Sequence, residues 1–278
     1  MASVTTRINQ IKQPRGGFIK PSDMTVEYQN DRVELNSEEN VHASIVGMSV
    51  DYLTRFMNGA PLEDAFAISL RGAKMAESFG IKGSFTNAVK LLYKIKGLDD
   101  TSITNACKLT TFDVWFRNAP AAMMAKNYKE TNPDRKTVEN IRIMVNRSLA
   151  FFKKYGPVTK DGFTFEPVDG RVSDYQRMCE TKKGSWGGYT STVETGDGDF
   201  LTRDTLWDFK VTGSEPTSKH TLQLLMYWIM GQHSKQEVFK TITKIGIFNP
   251  RLNKVYLFAV NNLPKEIIEV VETEIICY

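Results

Sequence analysis

The chain has 278 residues, of which 41% are hydrophobic and 24% charged, and its formal net charge is +4. This length allows one elaborated domain or two small ones with a sizeable core, and the composition is ordinary for a globular protein. The mild excess of positive charge permits nucleic-acid binding but is too common to require it.

The cysteines and the apolar segments argue against several kinds of protein. The chain has three cysteines, Cys107, Cys179 and Cys277. They lie far apart and form no Cys-x-x-Cys motif, which argues against a zinc site and a disulfide framework. No apolar run approaches the roughly 18 residues of a membrane-spanning helix, and residues 1–21 lack the apolar stretch of a signal peptide. We therefore expect a cytoplasmic protein with reduced thiols and no membrane partner.

The N-terminal segment, residues 1–36, is rich in Gln, Asn, Arg, Lys, Gly and Pro. This composition predicts an extended or disordered arm, and a strap that binds another subunit is the alternative. An amphipathic helix is predicted to follow from Ser37 to Asn58-Gly59, because acids occupy its first turn and apolar residues recur at helical spacing.

Two side chains of this helix, Asp51 and His42, are candidates for a site. They are nine residues apart, so at about 3.6 residues per turn they lie on roughly opposite sides and cannot bind the same ion. Asp51 is either a hard oxygen ligand for a metal or the partner of Arg55 in an ion pair at i,i+4 spacing. A solvated side chain is the simpler interpretation of His42.

Further helices are predicted up to about Tyr155. Helical patterns cover Pro61 to Gly83 and Phe85 to Ile95, whereas Leu109 to Phe116 also alternates as a strand would. The last helix is predicted to begin at Asn132-Pro133-Asp134 and to end at Gly156-Pro157. Six basic residues on it could contact phosphates or simply face solvent: Arg135, Lys136, Arg142, Arg147, Lys153 and Lys154.

Phe163 to Val168 is predicted to form the first core strand, and Glu166 within it is either an acid of the site or a strand-end carboxylate. The long connection that follows, residues 169–195, places lysines beside aromatic side chains. These side chains could hold a nucleic-acid strand through phosphate contacts and base stacking, or could cover the core: Lys182, Lys183, Trp186 and Tyr189.

A predicted hairpin carries the strongest indication of chemistry. Its residues alternate between apolar and polar, and a two-residue turn at Arg203-Asp204 would place Phe200 opposite Trp207 and Asp199 opposite Asp208. Four charged side chains then share one face: Asp197, Asp199, Asp208 and Lys210. Opposed carboxylates repel each other, so a proton, the lysine or a divalent cation such as Mg²⁺ must compensate them. An amphipathic hairpin with a solvated charged face is the alternative.

A helix is predicted between Pro216-Thr217-Ser218 and Gly231, and Gln223 and Tyr227 lie on one face of it. The chain is predicted to end with two strands joined by a turn and a closing helix: Thr241 to Phe248, Lys254 to Val260 and Pro264 to Ile276.

Three features together resemble the RecB-like branch of the PD-(D/E)XK nuclease superfamily: the Gly-x-x-Asp pattern that ends at Asp199, the pair Asp208-x-Lys210, and Gln223-x-x-x-Tyr227. The resemblance covers about the last third of the chain. It implies an α/β fold whose nuclease-like core is a mixed central sheet flanked by helices, with the order helix, three strands, helix, strand and a metal at the split between strands. We predict the arm in residues 1–36, an N-terminal helical elaboration that includes the first core helix in residues 37–155, and the nuclease-like core in residues 156–278.

The function that the resemblance implies is metal-dependent hydrolysis of phosphodiester bonds, with DNA as the expected substrate and Mg²⁺ or Mn²⁺ as the cofactor. Asp199 and Asp208 would hold the ion with the backbone carbonyl of Phe209, and Asp51 or Glu166 would add a further acid. Relatives often carry a His or Glu at the position of Asp51, four residues after a glycine, so this chain departs from the pattern there.

The remaining roles follow from the same resemblance. Lys210 would position the attacking water, and Gln223 and Tyr227 would support the site or orient the nucleic acid. A protein of this fold that binds nucleic acid or a protein partner without catalysis is the alternative. Exonuclease or endonuclease action, and assembly into a homo-oligomer, stay open.

Overall fold

The computed structural model describes residues 2–165 and 187–278. The strands in these ranges are β1 (Ala2–Ser3), β2 (Thr25–Tyr28), β3 (Lys160–Thr164), β4 (Val193–Thr195), β5 (Asp197–Leu201), β6 (Thr205–Phe209), β7 (Lys244–Asn249) and β8 (Lys254–Ala259). Six of them form one mixed sheet in the spatial order β2-β8-β7-β6-β5-β3, and β1 pairs with β4. Only β6 and β7 run parallel within the six-stranded sheet, and the other neighbours are antiparallel.

The helices are α1 (Val4–Gln10), α2 (Ala43–Met57), α3 (Leu62–Ala65), α4 (Ala67–Ser78), α5 (Ser84–Leu92), α6 (Asp100–Thr110), α7 (Asp113–Arg117), α8 (Ala119–Ala122), α9 (Arg135–Tyr155), α10 (Ser218–His233) and α11 (Lys265–Val270). A π-helical turn, Val271–Ile276, continues α11. Within the described ranges no helix is both long and apolar enough to cross a membrane. The fold is therefore mixed α/β, with helices on both faces of the central sheet.

Each sheet face packs against different helices. One face, with Leu201, Leu206 and Ile247, shares a core with α10 and α1. The other face places Trp207 and Phe248 against Phe151 of α9. The helices α2 to α6 and α9 form a separate core beside the sheet. The adjacent apolar residues Phe200-Leu201 of β5 and Leu206-Trp207 of β6 cover both faces, because successive side chains of a strand point to opposite faces.

The start and end of α9 confirm the sequence prediction. Asp134 caps the helix by accepting a hydrogen bond from the backbone N–H of Thr137, and Gly156 is the C-terminal cap. The ambiguous segment around residues 109–116 is helical on both sides of a turn at residues 111–112: α6 packs against α2 and buries Leu109, and α7 packs against α4. Gly231 does not end α10, which continues to His233. A Cβ at Gly231 would lie 2.2 Å from the Phe239 ring, so the glycine allows close packing.

The N-terminal segment is where the sequence prediction is wrong. Residues 2–36 contain α1 and β2, and the side chains of Val4, Ile8 and Ile19 are buried in the core around α10. Strand β2 pairs with β8 along the edge of the sheet. The few apolar residues are spaced too irregularly to indicate a helix or a strand by period, but each fills a gap that other elements leave.

The first helix of the helical region also begins later than predicted. It starts at Ala43 after the His42 cap and not at Ser37. The preceding residues are bound to α9 instead: the backbone N–H of Asn36 donates to Asn140, and that of Asn40 donates to Thr137. These hydrogen bonds satisfy backbone groups that a longer helix would have paired internally.

Most basic residues of α9 have structural partners. Arg147 is 7% exposed. It donates hydrogen bonds to the Asp31 carboxylate and to the backbone carbonyl oxygens of Val33, Pro250 and Arg251. Arg142 pairs with Asp100 and Glu139, Lys154 with Glu27, and Lys136 with Glu38. These four side chains are paired with acidic residues of the same chain, but only Arg147 is buried, and the phosphate-binding interpretation is wrong for Arg147.

Arg147→Ala is expected to destabilise the protein by about 3–5 kcal/mol, because it removes a buried cation that joins the N-terminal segment to the β7–β8 turn. Arg142→Ala is the matched control. Its ion pairs are more exposed, so about 1 kcal/mol or less is expected. Denaturant unfolding measures both free energies, and equal losses would contradict the structural role of Arg147.

Candidate active site

The predicted hairpin register is confirmed. Phe200 pairs with Trp207 and Leu201 with Leu206. The turn is closed by the backbone N–H of Thr202, which donates to the carbonyl of Thr205 at 2.9 Å. Extended by one residue, this register places Asp199 across from Asp208 on the sheet face that packs against α10.

The two strands separate beyond this point, and Asp199 occupies the split. Its Oδ2 accepts a hydrogen bond from the backbone N–H of Phe209 at 2.5 Å. Strand β6 continues its pairing with β7, as the bond from the backbone N–H of Lys210 to the carbonyl of Phe248 shows. The sheet therefore holds the Asp199 carboxyl group at the place where two antiparallel strands part.

Asp208 and Lys210 form an ion pair on the same face. The Asp208 side chain is 5% exposed, and Lys210 Nζ donates to its Oδ1 at 3.1 Å. The second oxygen, Oδ2, lies 3.0 Å from Nζ but is buried and accepts no hydrogen bond from the residues that the structure describes. The ammonium charge offsets part of the cost of burying this oxygen, and its lone pairs are open to a further ligand.

Helix α10 completes the face. Lys210 Nζ donates to Gln223 Oε1 at 3.4 Å, and Gln223 Nε2 donates to the Tyr227 hydroxyl at 3.0 Å. Tyr227 is buried among aromatic rings, and burial raises the pKa of its hydroxyl, which therefore stays protonated. The structure thus brings together five of the residues predicted from sequence: Asp199, Asp208, Lys210, Gln223 and Tyr227.

His220 is a neighbour of the site that the sequence analysis missed. It lies one helical turn before Gln223, and its Nδ1 accepts a hydrogen bond from the backbone N–H of Thr217. Burial and the positive charge of Lys210 lower the pKa of His220, so the neutral ring is favoured. Its spacing of three residues from Gln223 was the signal available in the sequence.

The charges of the site perturb one another. The residue Asp199 is partly exposed to solvent, but protein atoms closely surround its carboxyl group. Burial first, and then the charges of Asp208 and Asp51, raise its pKa to about 7. Burial alone would lower the pKa of Lys210, yet the charges of Asp208 and Asp199 outweigh it and the pKa is raised. Lys210 is therefore a fixed positive charge at neutral pH.

Asp51 lies at the margin of the site. Its Oδ1 binds Arg55 Nε at 2.9 Å, and Arg55 Nη1 binds Asp161 at 2.9 Å. The ion pair with Arg55, predicted as the alternative role of Asp51, is therefore present. The charge of Asp51 nevertheless raises the pKa of Asp199. His42 is the cap of α2 and accepts from the backbone N–H of Ser44.

Several predicted site residues lie outside the described ranges: Glu166, Lys182, Lys183 and Trp186. For Phe209, the described contact is made by its backbone N–H, not by the carbonyl group that was predicted as a ligand. Tyr189, at the end of the long connection, is buried in the core around α10.

The residues of the site fit a divalent cation with two protein ligands. In the described part of the chain no cluster of three or more His, Cys, Asp and Glu side chains is arranged to hold a metal. Mg²⁺, however, is commonly bound through one or two carboxylates and keeps several waters. Asp208 Oδ2, which accepts no hydrogen bond within residues 2–165 and 187–278, and the crowded Asp199 carboxyl group are suitable oxygen ligands for it.

Comparison of the chain with protein-family models, with curated proteins and with solved structures finds no match.

Asp199→Asn is expected to stabilise the protein in the presence of a chelator above pH 7 and to have little effect near pH 4. The folded wild type keeps a proton on Asp199 that the unfolded chain has already lost, so its stability falls as the pH rises from about 4 to about 7. Asparagine has no such proton and can still accept from Phe209. Melting temperatures of both proteins across this range test the expectation, and a difference that does not depend on pH would contradict it.

Proposed function

We propose that this protein is a divalent-metal-dependent nuclease that hydrolyses phosphodiester bonds, with DNA as the expected substrate. The observation that carries the proposal is the arrangement of two facing carboxylates beside a lysine that stays charged, and one carboxylate oxygen accepts no hydrogen bond from the described part of the chain. This donor set matches the chemistry of phosphodiester cleavage, which needs stabilisation of negative charge and an oriented water.

The topology supports the proposal. A helix is followed by β3, β5 and β6 in antiparallel order, then by α10, and then by β7 parallel to β6. This is the order of helix, three strands, helix and strand that the resemblance to PD-(D/E)XK nucleases implies. The carboxylates lie where β5 and β6 separate, which is where that fold is expected to hold its metal.

The ligands of the ion would be the carboxylates of Asp199 and Asp208. When bound, magnesium or manganese would supply Lewis-acid stabilisation of the negative charge that develops on the phosphate. Two groups of the protein hold these carboxylates in place before a substrate binds. The backbone N–H of Phe209 fixes the Asp199 carboxyl group, and Lys210 fixes that of Asp208.

Lys210 has the central catalytic role in this proposal. Its ammonium group is held between Asp208 and Gln223, so it can donate to a phosphate oxygen or orient the attacking water without reorganising. Tyr227 in turn fixes Gln223, which supports Lys210 in this position. Arg55 lies near Asp199 and raises the local positive potential, although Asp51 and Asp161 neutralise much of it.

The test is incubation of the purified protein with linear duplex, circular duplex and single-stranded DNA, and with RNA, in Mg²⁺, in Mn²⁺ and in a chelator. Cleavage that requires the metal supports the proposal, and the products distinguish exonuclease from endonuclease action. Binding of nucleic acid without cleavage of any substrate would favour the non-catalytic alternative. A rise in melting temperature with Mn²⁺ reports metal binding independently of cleavage.

A further inference from the structure

The helices α4 and α5, with the segments that follow them, carry a concentrated positive charge. Residues 67–97 contain six basic residues and one acidic residue, a net charge of +5, whereas the net charge of the whole chain is +4. The rest of the chain therefore has a net charge of only −1. The six basic residues form what we call the basic surface: Arg71, Lys74, Lys82, Lys90, Lys94 and Lys96.

The basic surface lies on the outer side of the helix pair. The two helices pack against each other, and both bury residues in the same core, Ala73 from α4 and Leu91 from α5 among them. All six basic residues are exposed. Arg71 and Lys74 are three residues apart, so they share the face of α4 that points away from this core.

The cations of the basic surface are not neutralised within the described part of the chain. None of the six side chains forms an ion pair or a hydrogen bond with another residue in residues 2–165 and 187–278, whereas four basic side chains of α9 pair with acids. The one acid of the segment, Glu77, accepts a hydrogen bond from the backbone N–H of Gly83. Cations that are grouped without acidic partners attract a polyanion.

Aromatic rings lie beside these cations. Phe79 is 48% exposed and Phe116 of α7 is 44% exposed. Arg71 lies 6.0 Å from the centre of the Phe116 ring, and Lys74 lies 4.9 Å from the centre of the Phe85 ring. Exposed rings can stack on unpaired bases, while neighbouring cations contact the phosphates between them.

Arg117 connects the basic surface with the candidate active site. It follows Phe116 on α7, and its side chain is 53% exposed. The charge of Asp197 acts on both Arg117 and Lys210. Cations therefore extend from Arg71 on α4 through α7 toward the face that carries the carboxylates.

We propose that the basic surface binds a single-stranded segment of nucleic acid, with its cations on the phosphates and its exposed rings on unpaired bases. The inference rests on the proposed nuclease function, because the bound strand is taken to be the substrate of the neighbouring site. Bases in a duplex stack on each other and leave the exposed rings without a partner. An acidic protein or an anionic membrane would also match the charge, but the continuity with the active site favours its substrate.

The first experiment measures the affinity for a labelled single-stranded oligonucleotide over a range of salt concentrations, in a chelator that prevents metal-dependent cleavage. The charge variant, Lys90→Gln with Lys94→Gln, should bind about tenfold more weakly at about 0.1 M salt. Its affinity should also depend less steeply on salt, with a slope of log Kd against log salt that is lower by about 1.4, or about 0.7 for each lost phosphate contact.

The matched control for the charge variant is Arg203→Gln with Lys265→Gln. It removes the same charge at exposed positions of the β5–β6 turn and of α11, so the affinity and its salt dependence should stay at the wild-type values. Every position changed in these two variants is exposed, and we expect the melting temperatures to stay close to that of the wild type.

Phe79→Leu tests the stacking separately. It keeps an apolar side chain at an exposed position but removes the ring, so the affinity for the single strand should fall by about fivefold or more while its salt dependence stays the same. The wild type should bind the single strand at least about fivefold more tightly than a duplex of the same sequence, and Phe79→Leu should reduce this difference.

The basic surface and the nuclease proposal can fail separately. Weaker binding by the charge variant, together with no cleavage of any substrate, would support the surface in a protein that is not a nuclease. Equal binding by the wild type and the charge variant, or equal affinity for single strand and duplex, would overturn the surface whether or not nucleic acid is cleaved. Binding to phosphatidylserine vesicles that the charge variant loses while it keeps its affinity for the oligonucleotide would assign the surface to a membrane instead.

Discussion

Asp208→Asn is expected to lower the rate of Mg²⁺- or Mn²⁺-dependent cleavage by more than about 10³-fold while the protein stays folded. The neutral amide is a poor ligand for a hard cation, and the Lewis-acid contribution that depends on the ion amounts to several kcal/mol of transition-state stabilisation. The amide is similar in shape, and the lost ion pair with Lys210 and the relieved repulsion with Asp199 act on stability in opposite directions, so the protein is expected to stay folded. The measurement is single-turnover cleavage at saturating protein, with the melting temperature recorded alongside.

Asp204→Asn is the matched control for this variant. Asp204 belongs to the turn of the same hairpin and pairs with Lys244 on the surface, away from the carboxylate pair. It should cleave at close to the wild-type rate. Cleavage by Asp208→Asn at the wild-type rate would remove Asp208 from the site and with it the metal-dependent mechanism.

Lys210→Met is expected to lower the cleavage rate by about 10²–10³-fold, with nucleic-acid affinity nearly unchanged. A fixed charge that interacts more strongly with the transition state than with the bound substrate affects the chemical step, and loss of one such donor typically has an effect of this size. Methionine keeps much of the apolar volume of the lysine stem. The tests are a single-turnover assay and a binding titration at two salt concentrations.

Lys244→Met is the control, since Lys244 pairs with Asp204 at a half-exposed position of β7 and should leave rate and affinity unchanged. If Lys210→Met loses affinity but keeps its rate, then Lys210 only anchors a phosphate and the catalytic role is wrong. The sequence also predicts the reverse pattern, weaker binding with an unchanged rate, for the double variant Lys182→Ala and Lys183→Ala.

The parts of the fold that the sequence determined by itself are those that depend on neighbours a few residues apart. The two-residue turn at Arg203-Asp204 decided the β5–β6 register, because the length of a hairpin turn fixes which residues face each other. The cap at Asp134 decided the start of α9, because its side chain satisfies a backbone N–H only three residues away. The spacing of Gln223 and Tyr227 decided their contact on α10.

Tertiary structure alone decided the features that depend on distant partners. Arg147 has a structural role only because the fold brings Asp31 and the β7–β8 turn together around it. Residues 2–36 are ordered because α10 and β8 provide surfaces on which they pack. The raised pKa of Asp199 and the unpartnered oxygen of Asp208 arise from burial, which depends on everything packed around them. A local sequence pattern identifies which side chains share a face. How far each of them is buried from solvent depends on the rest of the chain.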